Sequence, residues 1–547
     1  MLGIGRRRRR LTHLLRHLPG DLADRSRGSL VVIAESATRL AELRSADYAA
    51  PEARLIELVG SDVETMRREL STYAGSGMLV VDTRPSFGWD QLNAFSELFF
   101  HLDKGDVWVA LRSRHVPRGR KERLAALAAR FDTHGAGRLP VRWKEHRRSV
   151  ASCAVSPRMV FFEKGRDHLL KVRDDSATEL LNAREPALRV SELTVLPAGT
   201  LVARGSLSDH GTAPEPRFPS LLEYPEARLR RYEGPVSLPA ISLALHGRSV
   251  LPDSFRWHRN EHPVNNGLLD VDEWFARAKP DQSAGERLSG SYYFFWYNHP
   301  GHFGHLTTEG FSKLWGWDAA KVENPDLKLL CREHPRRRGT AHRLENVLLP
   351  AYGIDLDDVV WAPGPVTVDD LVGATPLWHN APPYYVHPAL RQEWRRLRQG
   401  LPRATVPSQP KIFVTRKPGW NRTCHNGHEV EALFTRHGFA IVRPETLTIP
   451  EQAALFAQAR VVAGYGGSGM FNLMYAERLE HVVVLNQSAY WGRSEHLFAT
   501  ALGADQHVFW SQPDPGPEEG TYEAHQSDWE FDWARNGEAL ETLLADL

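Results

Sequence analysis

The stretch Val461–Asn472, VVAGYGGSGMFN, decides how the second half of this chain is read. Apolar residues run straight into a glycine-rich turn, and helical spacing resumes over Met470–Arg478. A strand that ends in glycines and opens a helix gathers backbone N–H groups and a positive helix end at one point, which suits a phosphate or diphosphate. Glycines also serve ordinary turns, so the flanking sequence has to separate a ligand turn from a plain one.

Upstream, Lys411–Thr415 (KIFVT) reads as a short buried strand, His428–Arg436 as an amphipathic helix and Phe439–Val442 as a second strand. Thr448-Ile-Pro-Glu451 is a capping box with proline in the first turn, opening a helix to Ala459. Strand Arg460–Ala463, the glycine turn with its helix, strand His481–Leu485, helix Glu495–Leu502 and strand Gln506–Trp510 follow. Strands alternating with helices at this spacing predict a doubly wound parallel sheet, whose ligands sit at the carboxyl ends of the strands. Arg416 ends the first strand, the glycine turn ends the third, and Arg422 lies in the loop after the first. Two forked guanidiniums and a row of amides would converge on one dianion; the alternative for either arginine is a solvated surface residue.

The residues Arg416, Arg422, Asn426 and Glu429, then Glu445, Glu451, Gln452, Gly464, Gly467, Gly469 and Asn472, stand in an order that resembles glycosyltransferase family 61. The resemblance covers Lys411–Trp510 and, more loosely, Tyr292–Leu397. It implies a GT-B architecture, in which two Rossmann-like halves face each other across a cleft. It also implies inverting transfer from a nucleotide sugar, without the metal-binding Asp-x-Asp of the other major glycosyltransferase fold. Donor binding would then fall to Arg416, Arg422, Asn426, Glu445, Gly466, Gly467, Ser468, Gly469 and Asn472. The chain departs from the family in two places. Gly466-Gly467-Ser468-Gly469 replaces the usual His-Gly-Ala-Gly, and Gly427 replaces an acidic residue after Asn426. Both departures bear on the donor more than on the fold.

Tyr292–Tyr297 is an aromatic strand, followed by Asn298-His-Pro-Gly-His-Phe-Gly-His-Leu-Thr-Thr-Glu309. From Phe303 the pattern turns helical, which puts His302, His305 and Glu309 on one face, three and four residues apart. The run GHFGHLTTEGFSKLW resembles the other signature of the same family. Three readings stay open here. His305 or Glu309 takes the proton from an acceptor hydroxyl or binds the acceptor; the histidines form a structural network capping the helix; or His-x-x-His with a later Glu holds a metal. Strand Leu327–Cys331, helix Arg343–Tyr352 and strand Asp358–Trp361 continue the alternation, and helix Pro388–Gln399 with the loop Gly400–Pro410 bridges to the second half.

The chain has 547 residues, enough for about three or four domains with large cores. Hydrophobic residues make up 42% and charged ones 25%, the balance of an ordinary globular protein, and a net charge of +1 gives no general pull toward nucleic acid. Cys153, Cys331 and Cys424 are odd in number and widely spaced, which excludes a disulfide framework or a Cys-x-x-Cys knuckle and favours a reducing, cytoplasmic compartment. No apolar run reaches the roughly eighteen residues of a membrane span. The arginine- and alanine-rich usage resembles that of a high-GC bacterium.

At the amino terminus Arg6–Arg10 precedes Leu11, Leu14, Leu15 and Leu18 at helical spacing. His13 and Arg16 interrupt the apolar core that a signal peptide needs. A basic amphipathic helix at an anionic membrane surface and a frayed basic extension are the remaining readings. Ser29–Arg112 reads as a separate α/β unit, and its LVVDTRPSFGWDQLNAFSELFFHLDKGDVWVAL resembles the middle of a class I methyltransferase. Glu35-Ser36-Ala37 follows its first strand where a nucleoside cofactor would need a glycine-rich loop, so a cofactor-free scaffold or partner-docking domain is expected. Arg142–Leu251 has strand-like runs, with Ser208–Ser220 as a proline-rich loop. Asp270-Val-Asp272 matches Asp-x-Asp literally, but among 67 acidic residues such matches arise by chance.

The expected organisation is a basic extension over 1–27, a Rossmann-like accessory domain over 28–140 and a β-rich region over 141–280. An acceptor-side half over 281–405, a nucleotide-sugar half over 406–512 and an acidic tail over 513–547 complete it. The expected fold class is α/β, a GT-B-like pair of Rossmann-like domains behind an extra α/β domain and a β-rich region. The expected function is transfer of a sugar from a nucleotide-diphosphate sugar to a hydroxyl of a glycan or lipid-linked acceptor. His305 and Glu309 would be catalytic, and no metal and no cofactor beyond the sugar donor would be needed. The alternatives are a methyltransferase using S-adenosylmethionine in the first domain, and a degenerate transferase acting as a binding protein.

Overall fold

The computed structural model describes residues 29–37, 54–60, 62–73, 77–87, 89–113, 116–132, 140–203, 207–211, 218–240, 242–255, 264–279, 285–333, 344–417, 421–518 and 520–547. The basic extension with Arg6–Arg10 lies outside the described residues. The chain divides into two compact units, one within 1–189, 245–252 and 264–282, the other within 190–244, 253–263 and 283–547. The architecture is mixed α/β throughout.

In the first unit Arg54–Val59, Ser29–Ala34, Met78–Asp82 and Val107–Leu111 form a parallel sheet in that order. Met159–Lys164 and then Val150–Val155 extend it antiparallel. The interior strands Val31–Ala34 and Met78–Asp82 are buried along their length, as β-branched runs covered on both faces should be. Asp82, the acid at the end of the third strand, is buried and held bidentately by Arg84, at 2.7 Å (Nη2–Oδ2) and 3.0 Å (Nε–Oδ1). It is therefore not free to receive a ribose. Asp270 and Asp272 are engaged as well. Asp270 pairs with Lys171, and Asp272 accepts from the Trp274 and Phe275 amides at 2.8 and 2.7 Å.

The second unit is built on two sheets. In one, Ala227–Ala240, Val366–Ala374, Glu286–Phe294, Lys328–Arg332 and Val359–Ala362 lie side by side, antiparallel at the first pair and parallel after it. In the other, Leu207–Gly211, Asp505–Ser511, His481–Gln487, Val461–Tyr465, Lys411–Val414 and Ala440–Val442 are all parallel. One apolar cluster runs through both, joining Phe295, Leu306 and Phe311 to Val462, Met470, Phe471 and Phe498. The helix Ile449–Gln458 opens on the expected capping box, with Thr448 and Glu451 bonding reciprocally.

Three local expectations need correction. Leu207–Gly211 is an edge strand rather than loop; an edge position needs ladder bonds on one side only and tolerates its polar composition. Residues 212–217 of that stretch lie outside the described ones. After the glycine turn the chain forms a 3-10 helix over Ser468–Tyr475, not an α-helix to Arg478. Met470 through Tyr475 are all buried, and packing on every side overrides local helix preference. Finally, Phe303–Gly316 is a single α turn at Phe303–His305, a π segment at Leu306–Gly310 and a 3-10 segment at Phe311–Gly316. Thr307 and Thr308 donate their hydroxyls back to the Phe303 and Gly304 carbonyls at 2.8 and 2.7 Å, and such back-bonding competes with regular α winding.

Candidate functional site

Register places the site. Val414 pairs with Gly464, and Tyr465 with Leu485, so Arg416, the glycine turn and Asn486 emerge together at the carboxyl end of the parallel sheet. Gly467 has φ 142°, a region that favours glycine, and its surroundings add a second reason for the residue. A Cβ built there would lie 2.0 Å from Arg416 Nη2 and 3.3 Å from Arg422 Nη2. The two guanidiniums thus converge on the turn. Arg416 also donates to the Gly466 carbonyl and, at 3.4 Å, to that of Asn421. At Gly466 a Cβ would meet Asn486 Nδ2 at 2.2 Å.

The turn's amides are not empty. Gly467 N–H donates to Glu495 Oε1 at 2.6 Å, and Gly466 N–H to the Leu485 carbonyl at 3.3 Å. Glu495 is 3% exposed, and its burial raises its pKa against the pull of the Gly467 amide and of Arg422 and Arg416. Burial, then the neighbouring Arg422, pushes Arg416 down to about 10, which leaves it charged at neutral pH.

Arg422 is held from the carboxyl-terminal segment. Its backbone sits at φ 65°, uncommon without glycine; its N–H donates to the Gln526 carbonyl at 3.2 Å, and its carbonyl accepts from Trp529 Nε1 at 3.3 Å. Its guanidinium lies over the Tyr490 ring at 4.8 Å, and its Nε is buried without a partner. Residues 521–531 therefore strap the arginine loop. His525 in that strap stacks on Trp491 at 4.0 Å and on Tyr490 at 4.9 Å. Burial, then Arg422 and Arg416, lowers its pKa to about 4.

The remaining donor-side candidates divide by their partners. Asn426 clasps the strap, donating to the Phe531 carbonyl and accepting from the Phe531 amide, each at 2.9 Å, so its side chain is occupied structurally. Asn472 is buried and donates to the Gly469 carbonyl at 3.1 Å, with its Oδ1 unpartnered. Glu445 is exposed in the turn Pro444–Thr446, and Ser468 is half-buried.

On the other sheet, His305 Nδ1 bonds Glu309 Oε1 at 2.8 Å, and Glu309 Oε2 accepts the Asn298 amide at 3.1 Å. Glu345 steadies the same loop by accepting from the Gly301 amide at 3.0 Å. The His305 ring lies 4.8 Å from His299 and 5.1 Å from His302. A Cβ on Gly304 would meet Phe471 Cε2 at 3.0 Å, which sets this segment directly against the 3-10 helix that leaves the glycine turn. Among the described residues no group of three or more His, Cys, Asp or Glu side chains is placed to hold a metal ion, His302, His305 and Glu309 included. Glu495, Tyr490, Trp491 and His525 carry no motif in the sequence; the one signal near them is the helix expected over Glu495–Leu502, in whose first turn the structure places Glu495.

No curated protein matches this chain. Solved structures similar to it include the MycE methyltransferase from the mycinamycin biosynthetic pathway in complex with Mg, SAH and mycinamycin VI. That likeness has 17% identity, covers 28% of this chain and 49% of the other, and has a TM-score of 0.21. The match spans about half of that protein's length, and at this TM-score it carries no argument. The family model described as glycosyltransferase 61 matches residues 303–483. That stretch, within the carboxyl-terminal half of the chain, carries His305, Glu309, Arg416, Arg422 and the glycine turn, and over it the chain is similar to glycosyltransferase family 61.

Proposed function

We propose that this half of the chain transfers a sugar from a nucleotide-diphosphate sugar to a hydroxyl of a glycan or lipid-linked acceptor, with its two sheets as the halves of a GT-B fold. The observation that carries the reading is the convergence of Arg416 and Arg422 on Gly467 at the carboxyl end of a parallel sheet. As the bond from sugar to diphosphate breaks, negative charge builds on the leaving phosphate. Fixed guanidiniums in a partly buried site stabilise that charge without having to reorganise. The His305–Glu309 pair supplies the complementary step. With Nδ1–H donating a hydrogen bond to Glu309, the His305 Nε2 lone pair is available to take the acceptor's proton as its oxygen attacks, which gives inversion in a single displacement.

In this reading Arg416 and Arg422 replace a metal at the diphosphate, and no cofactor takes part besides the sugar donor. Arg6–Arg10 with the leucine stripe behind it would hold the enzyme at the anionic inner face of a membrane, where a lipid-linked acceptor is presented. A panel of nucleotide sugars, followed by calorimetry on purified protein and by release of nucleoside diphosphate in the presence of acceptor, tests the reading. Binding of one donor class with turnover supports it. Binding without turnover would leave the degenerate binding protein.

A further inference from the structure

Beside the two arginines stands an aromatic group that the diphosphate chemistry does not use. Trp491 and Tyr490 lie in the loop that follows strand His481–Gln487, next to the glycine turn in the sheet. His525 comes from the carboxyl-terminal strap and is stacked on both, at 4.0 Å and 25° to Trp491 and at 4.9 Å and 19° to Tyr490. Tyr522 lies near-parallel to His525 at 6.2 Å. The row continues to the anion site, because the Arg422 guanidinium covers Tyr490 at 4.8 Å. Its position is fixed. The Trp491 amide donates to His525 Nδ1 at 3.3 Å, and Gln487 Nε2 holds the strap through the Ala524 and His525 carbonyls at 3.1 and 3.2 Å.

Trp491 is nevertheless 46% exposed and Tyr522 65%. Among the described residues the only ring stacked on Trp491 is His525. A large indole, backed on one side and open on the other, at the rim of two converging arginines fits a flat heteroaromatic ring carried on a diphosphate. His525 is uncharged at neutral pH, so it adds stacking surface without another cation. Asn421 and Gln526, hydrogen-bonded to each other at 3.2 Å between the arginine loop and the strap, offer amide groups at the same rim.

We propose that Trp491, backed by His525, is the nucleobase platform of this site, so that a nucleoside diphosphate binds with its base on the indole and its phosphates on Arg416 and Arg422. The inference rests on the donor-site reading above and adds to it where the base goes. It also assigns a ligand role to the segment beyond residue 483, outside the stretch that the family model matches.

The test compares ADP, GDP, CDP and UDP with inorganic pyrophosphate by calorimetry on the full chain. Wild-type protein should bind at least one nucleoside diphosphate roughly tenfold or more tighter than pyrophosphate, since base stacking adds to the phosphate contacts. Trp491→Ala should bring that nucleotide's affinity down to the level of pyrophosphate and leave pyrophosphate binding unchanged. Trp491→Phe should recover most of the difference, which separates stacking from misfolding. Arg416→Ala should weaken both ligands. Unchanged nucleotide affinity in Trp491→Ala, or equal affinity of the wild type for nucleotide and pyrophosphate, overturns the platform while leaving the diphosphate site standing. Binding of neither ligand by the wild type overturns the donor-site reading, and the platform with it.

Discussion

Gly467 donates its amide to Glu495 Oε1 at 2.6 Å, with Arg416 and Arg422 around the same turn. The glycine turn thus already holds an acidic side chain of the protein's own. A diphosphate entering this site meets two arginines beside a buried carboxyl group, and an amide that is already engaged. Glu495→Gln keeps an acceptor for Gly467 while removing the charge, so nucleoside diphosphate affinity should rise several-fold in calorimetry. Glu495→Ala leaves the amide unpaired in a buried place and should lower folding stability by about 1–3 kcal/mol. Weaker binding in Glu495→Gln would instead make the carboxylate a direct ligand of a donor hydroxyl.

The arginines themselves should be separable. A lost charge-assisted hydrogen bond costs about 1.5–3 kcal/mol, so Arg416→Ala and Arg422→Ala should each weaken nucleoside diphosphate binding roughly tenfold or more. Arg416 also ties down the Gly466 carbonyl, and its loss should lower Tm as well. Unchanged affinity in both variants would remove the anion site.

How far the sequence carried this picture depends on the range of the interaction. The parallel sheet and its switch into glycine were legible because buried strands need continuous apolar runs, as in Val461–Tyr465, and because the Thr448 capping box is written in four consecutive residues. Arg416 and Arg422 were legible from their place after a strand. Glu495 was not, since an acid in a helix's first turn ordinarily complements the dipole, and nothing local says that it reaches Gly467, 28 residues earlier. His525 and Trp491 meet only because the strap returns across the sheet. The winding of Phe303–Gly316 escaped for another reason. The apolar spacing is helical, but the threonine back-bonds that disturb it do not show in a hydrophobic pattern.

The His305–Glu309 pair sets up a kinetic test. General acid–base help contributes roughly a hundredfold or more. His305→Ala should therefore lower turnover by about that factor with little change in donor affinity. In the proposed mechanism Glu309 acts through His305, so Glu309→Gln should lose less and should shift the acidic limb of the pH–rate profile, where protonation removes a general base. A profile identical to wild type in Glu309→Gln, or full turnover in His305→Ala, would assign deprotonation to another group.

Metal dependence gives a separate check. With two guanidiniums available for the diphosphate, transfer should persist in excess EDTA. Activity that collapses on chelation and returns with a divalent cation would mean that the arginines do not suffice for the leaving group.

The last expectation concerns acid. The His525 pKa is lowered to about 4 from an ordinary value near 6.5, first by burial and then by Arg422 and Arg416. A depressed pKa means that the unfolded chain binds the proton more readily than the folded one. The contribution of His525 to stability is then fully present above about pH 6.5 and declines as the pH falls toward 4. His525→Phe keeps a ring for Trp491 and Tyr490 but cannot titrate, so its thermal unfolding should depend less on pH across that window than that of the wild type. A bound diphosphate adds negative charge near Arg422 and Arg416 and should pull the His525 pKa upward, which imidazole NMR shifts with and without a nucleoside diphosphate would follow. A histidine that titrates near 6.5 in the free protein, with equal pH dependence in both variants, would mean that the strap is not seated against the arginines in solution.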